Sequence, residues 1–136
     1  MDGHEHCIQI HVVCDELTET ETILDDNTWI PKGALITHVV LDGTEAAATG
    51  VAVDIGLIKT DRTTEYNYDG LLQAMTTAKI VVGAHLDLAL ADVGAASSGA
   101  TVGTVMTENA YISGSRTTST AFTAGEFDLS IYYIVP

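Results

Sequence analysis

Basic residues are scarce in this chain of 136 residues, which has 5 Lys and Arg against 19 Asp and Glu. The formal net charge is therefore −14. Nucleic acids and anionic membrane surfaces are bound through clusters of Lys and Arg, so we expect neither as a partner. The excess of acids fits high solubility, or a partner whose contact surface is locally basic.

Long apolar runs are also missing, since no stretch approaches the roughly 20 residues that span a bilayer. The segment Met1–His6 lacks a basic region followed by an apolar run, so we expect no secretory signal. The composition is nevertheless 46% hydrophobic, which is typical of a folded chain and not of a disordered one. The length suffices for one domain with a core of its own.

Cysteine is limited to Cys7 and Cys14. On one continuous strand, at about 3.3 Å per residue, their Cα atoms would lie roughly 23 Å apart. A disulfide requires about 4.4–6.8 Å, so the two thiols are not expected to bridge within the chain. Free thiols fit a protein that is made in a reducing cytoplasm.

Alternation of apolar and polar residues dominates what is present, and it predicts β-strands. The clearest alternating segments are residues 7–14, 34–41, 51–59, 80–90 and 126–135. The Pro31-Lys32-Gly33 sequence predicts a turn before the second of these.

These strands and turns predict an all-β fold, a single-domain antiparallel β-sandwich that is jelly-roll-like. One short helical insert is predicted near residues 69–76, because Asp69 is a good N-cap residue. We assign residues 1–9 to an N-terminal arm and residues 10–136 to the sandwich domain.

The last strand predicts an oligomer interface. Phe127, Leu129 and Ile131 form one apolar face, while Tyr132 and Ile134 make the other face apolar as well. A strand that is apolar on both sides is usually covered by a neighbour, and in a domain of this size a second subunit could be that neighbour.

Histidines at strand positions could contribute to the same interface. His38 and His85 are assigned to it, because one histidine per chain would meet its copies at a threefold axis. For these residues, and for His11, a role on a sheet face or in an interface is favoured over metal ligation.

The cluster most like a metal site is His4-Glu5-His6, where alternate residues lie on the same side of an extended chain. A solvated arm is the favoured interpretation of His4 and His6, and we expect neither metal nor cofactor. The sequence also lacks a calcium-binding loop, a nucleophile elbow and a phosphate-binding loop, which argues against an enzyme. A small metal-dependent enzyme that uses His4 and His6 stays open as an alternative.

Several segments, in this order, resemble small structural proteins of tailed-phage heads. They are the turn Trp29-Ile30-Pro31-Lys32-Gly33-Ala34, the strand end Val53-Asp54-Ile55-Gly56, the element Asp69-Gly70-Leu71-Leu72, the small-residue segment Thr117–Gly125 and the terminal strand Glu126–Val135. The resemblance extends from Trp29 to the end of the chain, and it lies in the order of the motifs more than in any one of them.

The resemblance implies a capsid decoration (cement) protein, a non-enzymatic β-sandwich that binds the outside of a phage capsid and stabilises the shell. Its partners would be the major capsid protein and its own copies, in a homotrimer at threefold or quasi-threefold positions. It would be made in the host cytoplasm and end on the capsid surface of the virion. The gripping element of such proteins is an N-terminal arm, here represented by His4, His6 and Ile8.

A receptor- or glycan-binding β-sandwich module of a phage fibre or tail is the main alternative. Trp29, Tyr66 and Tyr68 could stack on sugar rings. The supply of aromatic residues is thin, at 6% of the chain, which makes this alternative the weaker one.

Overall fold

The computed structural model describes residues 4–89 and 99–136, and these residues form two antiparallel β-sheets. The strands are β1 (Glu5–Val13), β2 (Thr22–Ile23), β3 (Trp29–Ile30), β4 (Leu35–Ala48), β5 (Ala52–Lys59), β6 (Glu65–Thr76), β7 (His85–Ala89), β8 (Ala110–Arg116) and β9 (Ala124–Ile134). Single 3₁₀ turns follow β1 at Cys14–Glu16 and β6 at Thr77–Lys79.

The first sheet, sheet A, has the strand order β1-β9-β4-β7. The second, sheet B, has the order β2-β8-β5-β6, with β3 also paired to β8. In sheet A, β1 and β9 are aligned along all of β1, from Glu5 opposite Ile134 to Val13 opposite Glu126. The first and last strands of the fold are therefore neighbours.

The core lies between the two sheets and is built from alternate residues of their strands. Sheet A contributes residues such as Ile10, Leu41 and Phe127, and sheet B contributes Ile55 and Ile112. Phe127, Leu41, Ile55 and Ile112 are fully buried. Since successive residues of a strand point to opposite faces, this alternation fixes which residues form the outer face of each sheet.

The predicted all-β sandwich is confirmed, and the finer jelly-roll assignment stays a prediction. The predicted turn at Pro31–Gly33 is present, with Gly33 at φ 89°. The strand expected over residues 80–90 is shorter than predicted, because Gly83 adopts φ 82° in a turn and β7 begins only at His85. Residue 90 lies outside the described residues.

The predicted helical insert near residues 69–76 is wrong, because these residues belong to β6. Leu72 pairs with Ile55 and Met75 pairs with Val53, both on β5. Both β6 residues are fully buried, so packing against the core outweighs the local N-cap preference of Asp69.

The predicted boundary at residue 9 falls within β1, so residues 5–9 are part of sheet A. Residues 1–3 of the predicted arm lie outside the described residues. Cys7 and Cys14 are both free, as predicted, with Cys7 exposed and Cys14 buried. Over the described residues, no helix has the length and apolar character needed to cross a membrane.

Candidate functional sites on the outer faces of the two sheets

The outer face of sheet A is organised in rows that run across all four strands. From β1 to β7, the aromatic row is Cys7, Tyr132, His38 and Ala89, the middle row is Gln9, Ser130, Val40 and Asp87, and the charged row is His11, Asp128, Asp42 and His85. One end of this face therefore carries aromatic groups, and the other carries ionisable groups only.

In the aromatic row, the rings of His38 and Tyr132 stack with their centroids 4.4 Å apart and an angle of 9° between their planes. The Thr37 hydroxyl donates to the carbonyl of Tyr132 at 3.2 Å and also lies 3.2 Å from Nδ1 of His38. The Cys7 thiol beside the Tyr132 hydroxyl raises the pKa of Tyr132. Both rings are half-buried, so each still presents surface to a partner.

The charged row places two carboxylates, Asp128 and Asp42, directly opposite each other on β9 and β4. Like charges in this position are unfavourable, but each carboxylate has a histidine on its other side. His11 contacts Asp128 at 2.8 Å and Glu126 at 2.7 Å, and His85 contacts Asp42 at 2.5 Å. These hydrogen bonds, to Asp128 first for His11 and to Asp42 first for His85, raise the pKa of both histidines.

Of the residues predicted for an oligomer interface, the structure brings only His38 and Tyr132 into contact with each other. His85 lies in the charged row, and Ile134 lies at the end of β9 opposite Glu5. The predicted interface set therefore covers two chemically different parts of one face.

The residues predicted for the capsid-binding arm occupy three different environments. His4 is exposed, while the ring of His6 stacks on Tyr133 with a centroid distance of 5.2 Å. Ile8 is 8% exposed and packs in the core, so it anchors β1 instead of facing a partner. Nowhere in the described part of the chain do three or more His, Cys, Asp or Glu side chains form a group that could hold a metal ion.

The outer face of sheet B is buried, although it points away from the core. Its cross-strand pairs join Asp54 to Ser115, Gly56 to Ser113 and Ile58 to Tyr111, and every member of these pairs is buried. Segments outside the regular sheet must therefore cover this face.

One cover is a bulge in β6. Between Leu57 opposite Asn67 and Ile55 opposite Leu72, β5 advances two residues while β6 advances five, which leaves three extra residues in β6. This bulge passes so close to Gly56 that a Cβ atom there would lie 2.1 Å from the carbonyl carbon of Tyr68. Glycine at this position is required by the close approach of the two backbones.

Polar and aromatic side chains cover the rest of this face. Ser113 donates to Glu21 at 2.5 Å, and burial raises the pKa of Glu21. The Arg62 guanidinium lies 4.9 Å from the centre of the Tyr111 ring, and the Trp29 ring meets the same tyrosine edge-on at 6.0 Å.

A pocket of about 280 Å³ opens beside Asp54 on this outer face. We name it the Asp54 pocket; the residues of its wall used below are Glu19, Asp54, Tyr68, Asp69, Gln73 and Arg116. Asp54 is 6% exposed, and its Oδ1 accepts a 2.8 Å hydrogen bond from the amide of Ala74. Burial first, and the nearby charge of Asp69 second among the effects that raise it, keep the pKa of Asp54 above its ordinary value.

The three aromatic residues of the glycan-binding alternative have separate contacts. Trp29 packs against Tyr111, the Tyr66 hydroxyl accepts from the Thr107 amide at 3.1 Å, and Tyr68 lies at the Asp54 pocket. The contacts of these side chains give no shared stacking platform for a sugar.

The Asp54 pocket and the charged row did not emerge from the sequence. The available signal for the pocket was a single carboxylate, Asp54, inside the otherwise apolar run from Val51 to Ile58. The charged row depends on the register of four strands, and the sequence does not reveal which strands pair.

Comparison with solved structures gives three similar chains, each from a phage capsid. A chain in the acidic stable capsid structure of Helicobacter pylori bacteriophage KHP30 aligns with a TM-score of 0.61 at 13% identity, over 97% of this chain and 88% of that one. A chain in the capsid of Ralstonia phage GP4 aligns with a TM-score of 0.64 at 13% identity, over 98% and 86%. A chain in the capsid asymmetric unit of cyanophage Pam1 aligns with a TM-score of 0.62 at 16% identity, over 98% and 86%.

No protein-family model matches the sequence, and no curated protein matches it significantly. At 13–16% identity, the likeness to the three capsid chains is one of fold. The chain therefore has the same fold as proteins found in the capsids of three tailed or icosahedral phage particles named for Helicobacter, Ralstonia and cyanobacterial hosts only by their titles, and its sequence has diverged far from theirs.

Proposed function

We propose that this protein is a non-enzymatic structural component of a phage virion that binds the outside of the capsid and stabilises the shell. The observation that carries the proposal is the likeness to chains of three phage capsid structures over 97–98% of this chain. The alignments also cover 86–88% of those chains, so the whole fold is shared and not one motif within a larger protein.

The resemblance of the sequence motifs to phage head proteins supports the same role independently of the fold comparison. The motif order from the Pro31–Gly33 turn to the terminal strand predicts a decoration protein, and the terminal strand is β9 at the centre of sheet A. A protein that binds only the assembled shell stabilises that shell by mass action, which is how decoration would act.

In this proposal the protein assembles as a homotrimer through the aromatic end of the outer face of sheet A. His38 and Tyr132 provide stacked rings that are half-buried in the single chain, and Ile134 extends the same end of β9. Burial of aromatic side chains is a common source of interface affinity, so this end suits self-association better than the charged row does.

Capsid contact is assigned to the start of the chain. His4 is exposed at the edge of sheet A, and His6 follows on the same strand. Ile8 supports this region from the core. In a trimer, three such weak contacts would act together through their high effective concentration.

The direct test is co-sedimentation with heads of the phage that carries this coding sequence, purified without the protein. We expect the protein to pellet with the heads in a saturable manner and to raise the temperature at which they release their DNA. Light scattering behind a sizing column should give about three times the 14.3 kDa chain mass. Absence of binding to intact heads would contradict the capsid role, and a monomeric mass on and off the heads would contradict the trimer.

A further inference from the structure

The Asp54 pocket is built around a carboxylate that the described part of the chain leaves half satisfied. Asp54 is more than nine-tenths buried, and one of its oxygens accepts from Ala74. Its other oxygen has no hydrogen-bond donor among the described residues, although it belongs to a group that pays a large desolvation cost when ionised.

The nearest cationic side chain does not neutralise Asp54. The guanidinium of Arg116 donates to the carbonyls of Leu17 at 2.6 Å and Thr118 at 3.1 Å, so its hydrogen bonds go to the backbone. The charge of Asp69 raises the pKa of Asp54, and no cation lowers it. The pocket therefore contains three carboxylates, those of Glu19, Asp54 and Asp69, against one guanidinium that is engaged elsewhere.

An aromatic ring completes the site. Tyr68 is 44% exposed at the pocket, and the charges of Asp69 and Asp54 raise the pKa of its hydroxyl, so it lies close to both carboxylates. A ring next to a carboxylate is a favourable environment for a guanidinium or an ammonium group, which binds the ring face and the anion together.

The size and charge of the pocket select among cations. No group of three His, Cys, Asp or Glu side chains suited to a metal occurs in residues 4–89 and 99–136, so the carboxylates of the pocket are too dispersed for a bare metal ion. A volume of about 280 Å³ accommodates an organic head group with part of its stem. Because only Asp54 is deeply buried, the pocket offers one strong anchor, whereas a polyamine carries several charges along its length.

We propose that the Asp54 pocket binds the cationic head group of a single arginine or lysine side chain presented by a neighbouring protein chain. The head group would bond the free oxygen of Asp54 and pack on the ring of Tyr68. This inference goes beyond the proposed capsid role, since it names a chemical feature that the partner must carry. It is tested on the isolated protein and can fail while capsid binding holds.

The experiment is an NMR titration of the ¹⁵N-labelled protein with Nα-acetyl-arginine methylamide, and separately with spermidine. We expect saturable shifts that centre on the amide of Ala74 with the capped arginine, and weaker, dispersed shifts with spermidine. Asp54→Asn should reduce affinity for the capped arginine roughly ten-fold or more, because it removes a charge-assisted bond. The asparagine can still accept from Ala74, so the fold is retained.

Asp87→Asn is the matched control, since it removes the same charge from the middle row of sheet A and should leave the affinity unchanged. Glu19→Gln provides a second pocket variant with an exposed position, and we expect a smaller loss. Equal losses in Asp54→Asn and Asp87→Asn would show general attraction to an acidic protein and overturn the site. Tighter binding of spermidine than of capped arginine would overturn its assignment to a side chain.

Discussion

His38 and Tyr132 face each other across β4 and β9 with their rings nearly parallel, at a centroid distance of 4.4 Å. The pair lies between Cys7 on β1 and Ala89 on β7, in the row that carries the aromatic groups of sheet A. The proposed assembly depends on this row, and the surrounding face gives the controls for testing it.

Replacing Tyr132 with Asp should dissociate the proposed trimer. The change removes half of the stacked pair and places a charge in an interface that would otherwise be apolar, which we expect to weaken association more than ten-fold. The molar mass by light scattering should fall to that of one chain, while the circular dichroism keeps its β signal. Tyr68→Asp, on the outer face of sheet B, is the control and should keep the wild-type mass. An oligomer that persists in Tyr132→Asp means that another surface holds it together.

The charged row should make stability depend on pH near neutrality. The pKa values of His11 and His85 are raised in the folded state above their ordinary value of 6.5. Their contribution is therefore complete at pH values below 6.5 and is lost as the pH rises through the raised folded-state values. The melting temperature of the double variant His11→Gln, His85→Gln should vary less across this window than that of the wild type.

His38→Gln is the control for that measurement, because His38 stacks on Tyr132 and is not paired with a carboxylate in the charged row. It should keep the wild-type dependence on pH even if its melting temperature is lower throughout. A double variant whose melting temperature follows the wild-type pH profile would show that the two histidines do not carry the effect.

Gly56→Ala should destabilise the protein by about 1–3 kcal/mol, because the new methyl group meets the backbone of the β6 bulge. The clash involves the carbonyl of Tyr68 and not a flexible side-chain end, so the strand itself must move. Urea unfolding measures the loss. Ser115→Ala changes a small residue on the same face of the neighbouring strand and should cost less. If Gly56→Ala unfolds at the wild-type urea concentration, the bulge does not lie against β5 as described.

The two thiols should react very differently with Ellman's reagent. Burial raises the pKa of Cys14 to about 12, so it stays protonated and inaccessible at neutral pH. Cys7 is exposed and pairs across strands with Tyr132. The folded single chain should therefore release one equivalent of product quickly and the second only in denaturant. Slow reaction of Cys7 at concentrations where the trimer forms would place the aromatic row in the interface, whereas rapid reaction of Cys14 would contradict its burial.

Much of the fold could be predicted from the sequence, because long strands with one buried face keep a strict alternation. Residues 126–135 show it clearly, and β9 spans Ala124–Ile134. β6 escaped this reasoning, since its three-residue bulge breaks the period of two, and Asp69 then gives a misleading helix signal.

The candidate sites were less accessible to prediction for a topological reason. Tyr132 was singled out because it makes the outer side of an alternating strand apolar, which is a local property. The Asp54 pocket combines residues of β5, β6 and β8 with Glu19, which lies outside the strands, so its carboxylates come together only through strand pairing. Among 19 acids, the sequence offers little to mark these three as neighbours.

The pairing of β1 with β9 has a practical consequence for engineering. Glu5 lies directly opposite Ile134, so the two ends of the described fold leave the sandwich at the same pole. A short loop could join them, and new ends could be opened in the exposed turn at residues 60–64, giving a circular permutant with both sheets intact. The same geometry would let a cargo peptide fused at either end emerge from one side of the particle to which the protein is attached.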